Sequence, residues 1–302
     1  MATVTKKMTD SQIEQLAEKL APLAKEKRQL DYTHWQYKLP GASVTAYTSG
    51  KVVFQGNALP ELAEKLNLEL EVSGAVRKTP AQNSWPQAGS DEVGTGDYFG
   101  PIVVAAVRIP DAGAARLLEK LGVNDSKKIT DEKIREIAPQ LRRILGADNY
   151  SVCVVLPALY NKVYDRNTNN ANTMKARLHN QAYLNLIRKS GPLPELTVVD
   201  QFAPEKSYYA YLKDEKQIVR KLYFEQKAES QYLPVAAASI LARDAFLEAM
   251  GKLNEKYEFA FPFGGGKEAT ARGKVFVERY GADALKNVAK LHFVNTSRVL
   301  KD

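Results

Sequence analysis

Cysteine is almost missing from this chain: 302 residues carry one, Cys153, so no internal disulfide framework can exist. It sits in the strand-like "YSVCVVL", where a buried, inert thiol is expected rather than a nucleophile. Histidine is nearly as scarce, with three scattered residues, and no zinc constellation can be assembled from them. Long apolar runs are lacking too. The longest, around "VAAASILA", falls far short of a bilayer span, and the N-terminus has no apolar segment of the secretory type. These absences lead to the expectation of a cytoplasmic protein with no membrane association and no obligatory protein partner. Nucleotide-binding glycine motifs are absent as well. "GTGDYFG" has its third glycine one place late for a dinucleotide fingerprint, and "FGGGKEAT" lacks the spacing and the hydroxyl of a P-loop. Gly264 to Gly266 therefore read as a flexible loop.

What is present is a basic, core-forming composition. Lys and Arg outnumber Asp and Glu by 43 to 35, a net charge of +8, which favours a polyanionic partner without establishing one. The 44% hydrophobic fraction is enough for two domains. The first segment has a capping-box pattern, Ser11 with Glu14, and helical apolar spacing that predicts a helix to about Arg28. "ASVTAYTSGKVVFQG" then reads as a hairpin and "ALPELAEKLNLEL" as a helix. Residues 1–70 thus form an α+β unit. Residues 71–87, polar and proline-containing, read as a linker, and residues 88–302 as a second domain. There, strands open the domain and alternate with helices, which predicts a mixed sheet with helices on both faces. "VAAASILARDAFLEAM" is apolar or small nearly all round and predicts a core helix.

Four carboxylates stand out by position. Asp91 and Glu92 lie side by side before the glycines Gly94, Gly96 and Gly100; a strand would send the pair to opposite faces unless the backbone bends there. Asp200 follows the apolar "LTVV", at the carboxyl end of a buried strand, though it is equally placed to cap a helix over "QFAPEKSYYAYL". Glu229 precedes the core helix, where the helix dipole alone would favour an acid. Convergence of all four would raise their pKa values by mutual repulsion. Hard divalent cations with oxygen ligands, Mg²⁺ or Mn²⁺, would relieve that repulsion. Ser126 and Lys127 sit either in a plain turn before a helix capped by Thr130 or at a phosphate. Lys175, Arg177, Arg243 and the tyrosines 164, 208 and 209 carry the same ambiguity between packing and substrate contact.

"DEVGTGDYFGP", "NDSKK", "LTVVDQF" and "KAESQYLPVAAASILARD" resemble, in order, the motifs of the type 2 ribonucleases H, the group containing ribonucleases HII and HIII. The resemblance spans Ala88 to the C-terminus. It implies an α/β ribonuclease H-like fold, a mixed sheet flanked by helices, and cleavage of the RNA strand of RNA/DNA hybrids by two-metal-ion hydrolysis giving 5′-phosphate and 3′-hydroxyl ends. Gly94-Thr95-Gly96 stands where ribonuclease HII has Gly-Arg-Gly, as in HIII. The N-terminal α+β unit resembles the TATA-binding-protein-like domain of that branch. The resemblance implies that Asp91, Glu92, Asp200 and Glu229 are catalytic and metal-binding, Glu229 standing where Asp is common. It further implies that Gly94, Thr95, Gly96, Ser126 and Lys127 contact substrate, and that the N-terminal domain grips the hybrid through its sheet and residues such as Lys51. The rival readings are HII-type incision at single ribonucleotides, a resolvase-like DNA nuclease, and a binding module with relic acids.

Overall fold

The protein is described by a computed structural model, which covers residues 2–56, 58–66, 68, 84–123 and 129–301. The chain divides into two compact units, residues 1–78 and 79–302.

The first unit contains β1 (Ala2–Lys7), α1 (Asp10–Leu20), β2 (Glu26–Arg28), β3 (Thr33–Leu39), β4 (Ala42–Tyr47), β5 (Lys51–Gly56) and α2 (Leu59–Leu66). Its strands form one antiparallel sheet in the order β1-β5-β4-β3-β2. The expected hairpin is present as β4–β5, turning at Gly50, whose φ of +77° suits glycine. The expected long first helix is not. It stops at Leu20, because Pro22 follows in a 3-10 turn and the chain then enters β2. Its capping box is Thr9 with Gln12, two residues ahead of the Ser11–Glu14 pattern, since Asp10 already has helical geometry. Alternation in β3 buries Thr33, Trp35, Tyr37 and Leu39. Trp35, Tyr37 and Leu39, with Val44, Val52 and Phe54, share a core with Ile13, Leu16 and Leu20 of α1 and Leu59, Leu62 and Leu66 of α2. The opposite sheet face carries mainly polar side chains, with Val53 among them.

The second unit contains β6 (Gln87–Val93), β7 (Ile102–Ile109), α3 (Ala112–Lys120), α4 (Asp131–Leu145), β8 (Tyr150–Val155), α5 (Pro157–Val163) and α6 (Ala171–Ser190). These are followed by β9 (Thr197–Asp200), α7 (Glu205–Tyr211), β10 (Tyr223–Glu225), α8 (Leu233–Tyr257), α9 (Lys267–Tyr280) and α10 (Val294–Val299). The sheet order is β10-β9-β6-β7-β8; β10, β9 and β6 run parallel, and β7 and β8 pair antiparallel. β7 reads "IVVAAVRI" without polar alternation because both of its faces are covered. Val103, Ala105 and Val107 join the core built on α8, while Val104 and Ala106 join the core built on α6. The result is a mixed sheet between helical layers. Gly89 makes this close: a Cβ there would lie 2.6 Å from Val235 of α8. No helix among the described residues is long and apolar enough to cross a membrane.

Candidate active site

The parallel strands β6, β9 and β10 bring their carboxyl ends to one edge. Ser90 pairs with Val199, so the next residues on the two strands are Asp91 and Asp200. Asp200 in turn pairs with Glu225 at the end of β10, and Glu229 follows in the short 3-10 turn Ala228–Ser230 that leads into α8. Three separated sequence segments thus deliver four acids to one sheet end, where open α/β sheets keep their sites.

Asp91 and Glu92 do obey strand alternation. Asp91 turns to the α8 side and bonds Ser239, while Glu92 turns to the α6 side and meets Lys175 and His179. The backbone bend comes two residues later, at Gly94 with φ +96°. A Cβ at Gly94 would lie 2.2 Å from the Pro101 carbonyl oxygen, so only glycine fits the close return of the chain. Thr95 and Gly96 form the exposed tip of this β6–β7 loop.

The electrostatics separate the acids. Asp91 is buried, and that burial, with the charges of Glu92 and Asp200, pushes its pKa up to about 8. Burial also raises Asp200, helped by Glu229 and Glu92, although the Ala228 amide donates to its Oδ1 at 2.9 Å. Glu92 goes the other way. Burial would raise it, but the hydrogen bond and charge of His179 and the ammonium of Lys175 outweigh that and hold it below the usual range. Lys175 Nζ is 3.1 Å from Glu92 Oε1, and His179 Nε2 is 2.8 Å from Oε2. His179 Nδ1 lies 2.8 Å from Ser90 Oγ, and its ring stacks on Phe202, which also receives Lys175 Nζ 4.1 Å from its centroid. Lys175, considered from sequence as a phosphate contact, is thus a buried partner of Glu92. His179 gave no sequence signal of its own, yet its spacing from Lys175, four residues along α6, puts both on one helical face.

Other expectations are resolved around this edge. Asp200 does not cap α7, whose N-cap is Pro204. Arg243 grips Asp131 at 2.8 Å through two nitrogens, and Arg177 pairs with Glu215. Tyr208 is fully buried, in T-shaped contact with Tyr209, and Tyr164 stacks on Tyr160 and His292. Gly264–Gly266, expected as a flexible loop, is fastened to the β6–β7 loop and the C-terminal segment. Gly264 N donates to Asp97 Oδ1 at 2.6 Å, Tyr98 N donates to Gly264 O at 3.0 Å, and Asn295 Nδ2 donates to Gly265 O at 3.0 Å. A tripeptide with no side chains gave no hint of backbone bonds to segments about 30 and 170 residues away in sequence. Lys51 lies in the first unit, on β5, and Ser126 and Lys127 fall outside the described residues. The cysteine is free and only partly buried, not fully buried as expected, and that partial burial still raises its thiol pKa, as an inert position requires.

Four carboxylates with one strongly disfavoured as an anion form an oxygen donor set suited to a hard divalent cation, which would relieve the repulsion at Asp91. The donors are within electrostatic reach of one another, but among the described residues no three His, Cys, Asp or Glu side chains are already drawn together to ligation distance.

Comparison with known proteins agrees with this geometry. The family model described as ribonuclease HII matches residues 88–296, and a model described as a domain of unknown function matches residues 3–77. The chain therefore belongs to the type 2 ribonuclease H family. Its relatives place it on the HIII branch, as an endoribonuclease. Ribonuclease HIII of Streptococcus thermophilus is 40% identical over 301 residues, 99% of this chain and 98% of the relative. Ribonuclease HIII of Bacillus cereus is 41% identical over 276 residues, 87% of each chain. The crystal structure of Bst-RNase HIII in complex with Mn²⁺ matches with TM-score 0.68 at 34% identity, covering 99% of this chain and 98% of that one. Aquifex aeolicus RNase H3 matches with TM-score 0.55 at 26% identity, covering 96% and 99%.

Proposed function

We propose that this protein cuts the RNA strand of RNA/DNA hybrids internally, by hydrolysis that leaves 5′-phosphate and 3′-hydroxyl ends. The observation that carries this reading is the gathering of Asp91, Glu92, Asp200 and Glu229 at the carboxyl ends of β6, β9 and β10, with Asp91 driven up to about 8 by burial and its neighbours' charge. These four residues would hold two divalent cations, Mg²⁺ or Mn²⁺; the Mn²⁺ complex of Bst-RNase HIII supports that choice. Such ions, when bound, lower the pKa of a water nucleophile and offset charge on the attacked phosphate and the leaving oxygen.

The chain's own residues do the rest. Asp91 must give up its proton before it can ligate, which ties function to pH. Lys175 and His179 fix Glu92 at the sheet end and keep it ionised. Gly94–Gly96 present backbone to the sugar–phosphate chain, where the exposed Thr95 and Gly96 leave room for it. Ser126 and Lys127 are proposed to assist at phosphate.

Residues 1–70 are proposed as the substrate-gripping domain, joined through 71–87 to the catalytic domain 88–302. Support comes from the sheet face turned away from the helices. The register places Lys7 opposite Lys51, Thr45 opposite Val53, and Gln36 opposite Thr45 on that face. Lys7 and Lys51 are exposed, so the face offers cations and hydrogen-bond donors to a duplex backbone. Recognition would follow A-like shape and 2′-hydroxyls rather than base order.

The test is cleavage of an end-labelled RNA/DNA hybrid in Mg²⁺ and in Mn²⁺, beside a duplex containing one ribonucleotide and an Asp91→Asn control. Cutting at many positions in the hybrid, little at the lone ribonucleotide and none by the variant is the expected pattern. Efficient cutting at the lone ribonucleotide would move the protein to HII-type activity. No cutting by folded wild-type protein would reject the proposal.

A further inference from the structure

Lys290 is among the most buried side chains of the second unit, 1% exposed, and the reaction described above makes no use of it. Lysine is seldom buried so completely unless its ammonium has partners. Here the partners are three successive backbone carbonyls: Nζ lies 2.7 Å from Gly100 O, 3.4 Å from Pro101 O and 3.5 Å from Phe99 O. Consecutive carbonyls normally point apart. They converge here because Gly100 has φ +82°, a conformation in which a side chain would also strike the Met250 sulfur at 2.2 Å. The ammonium supplies the three donors needed at that point.

The backbone around Lys290 is zipped to the same loop. Lys290 N donates to Tyr98 O at 2.8 Å, Gly100 N donates to Val288 O at 2.9 Å, and Phe99 forms an isolated bridge with Ala289. One of the three carbonyls, that of Pro101, is the oxygen against which Gly94 is packed. A chain of direct contacts therefore runs from the ammonium through Pro101 to Gly94, the first residue of the Gly94-Thr95-Gly96 tip.

We infer that Lys290 is a positioning residue for the substrate-facing loop: its ammonium, held by the carbonyls of residues 99–101, fixes the closed turn that sets Gly94-Thr95-Gly96 against the hybrid backbone. The role rests on the functional reading above only in naming the substrate. Burial lowers the Lys290 pKa to about 7 against the opposing pull of Asp97, so the ammonium that makes these contacts is fully formed only below that pH. The carboxylates stand on β6, on β9 and in the turn before α8, outside this contact chain, so the role is distinct from holding metal.

The test compares wild type with Lys290→Met, which keeps the bulk and removes every donor, and Lys290→Gln, which keeps an amide donor. All measurements are made well below each variant's Tm. Hybrid cleavage gives KM and kcat, amide hydrogen exchange reads residues 94–100 against β6 and β7, and Mn²⁺-induced change in Tm reports the metal site. For Lys290→Met the expected result is a KM about 10-fold higher, the scale of one lost charge-assisted hydrogen bond, with kcat changed less than about 3-fold. Exchange should quicken about 10-fold or more in 94–100 alone, the Mn²⁺ response should persist, and Lys290→Gln should fall between. A lower Tm with unchanged KM, kcat and loop exchange would make Lys290 a structural lysine only. Failure of both variants to fold would make it a requirement of the whole fold, and would equally overturn the inference. If wild type cuts no hybrid, the functional reading fails, and the exchange data then decide the role of Lys290 by themselves.

Discussion

Replacing Asp91 by Asn should abolish cleavage and at the same time stabilise the metal-free protein. Asp91 is 7% exposed, and burial followed by the charges of Glu92 and Asp200 raises its pKa from 3.8 to about 8. A carboxyl raised in the folded state supports folding fully only below its unfolded pKa, and that support is lost as pH rises through the folded pKa. The loss therefore grows between about pH 4 and pH 8. At 1.36 kcal/mol per tenfold change, the shift corresponds to at most about 6 kcal/mol above pH 8, and to about 2 kcal/mol at pH 5. Asn keeps the acceptor for the Glu92 amide, 2.7 Å away in the native protein, and the side-chain bond to Ser239 can be retained. Local relaxation should leave roughly half of the gain. Thermal unfolding in chelator should then give Asp91→Asn a Tm about 5–10 °C above wild type at pH 8.5, and a much smaller advantage at pH 5. Saturating Mn²⁺ should raise the Tm of wild type more than that of the variant, because binding offsets the same repulsion. An advantage that does not grow with pH, or a variant less stable than wild type at every pH, would refute the electrostatic reasoning.

Other consequences can be measured separately. Wild-type cleavage should rise with pH up to about 8, as Asp91 loses the proton that competes with metal, and a profile flat from pH 6 to 9 would contradict this. Lys175→Met should cost about 2–4 kcal/mol in chelator at neutral pH, since Glu92 would lose a buried cation 3.1 Å away. The penalty should shrink as pH falls through the normally depressed pKa of Glu92, as urea unfolding at pH 4 and 7 would show. Gly94→Ala should destabilise the protein by more than about 2 kcal/mol, because its Cβ would meet the Pro101 carbonyl at 2.2 Å in a positive-φ conformation; wild-type stability in denaturant would show the geometry is wrong. Lys51→Ala should weaken hybrid binding several-fold and reduce the salt slope by about one, as read by titration at several salt concentrations.

Much of this protein was fixed by its sequence alone. The uninterrupted "IVVAAVRI", the all-round apolar "VAAASILARDAFLEAM" and the acid after "LTVV" required a sheet covered on both faces, a core helix and a carboxylate at a strand end, because burial on two sides removes polar alternation. The four acids were visible as separate positions, and the ordered motifs named their family. In the first unit, sequence missed β1, β2 and β3 and ran the first helix too far: Pro22 ended it, and the period-2 alternation of "THWQYKL" was a legible strand signal that went unused. Only the tertiary structure decided what surrounds the acids. That Glu92 turns to Lys175 and His179 while Asp91 turns to Ser239 follows from strand alternation plus the placement of α6 and α8 on opposite faces. That three glycines are tied to Asp97 and Asn295, and a lysine near the C-terminus to the carbonyls of residues 99–101, follows from backbone groups that every residue carries alike. Side-chain pattern reports burial and charge, whereas which distant carbonyl meets which donor is set by the closing of the chain in three dimensions.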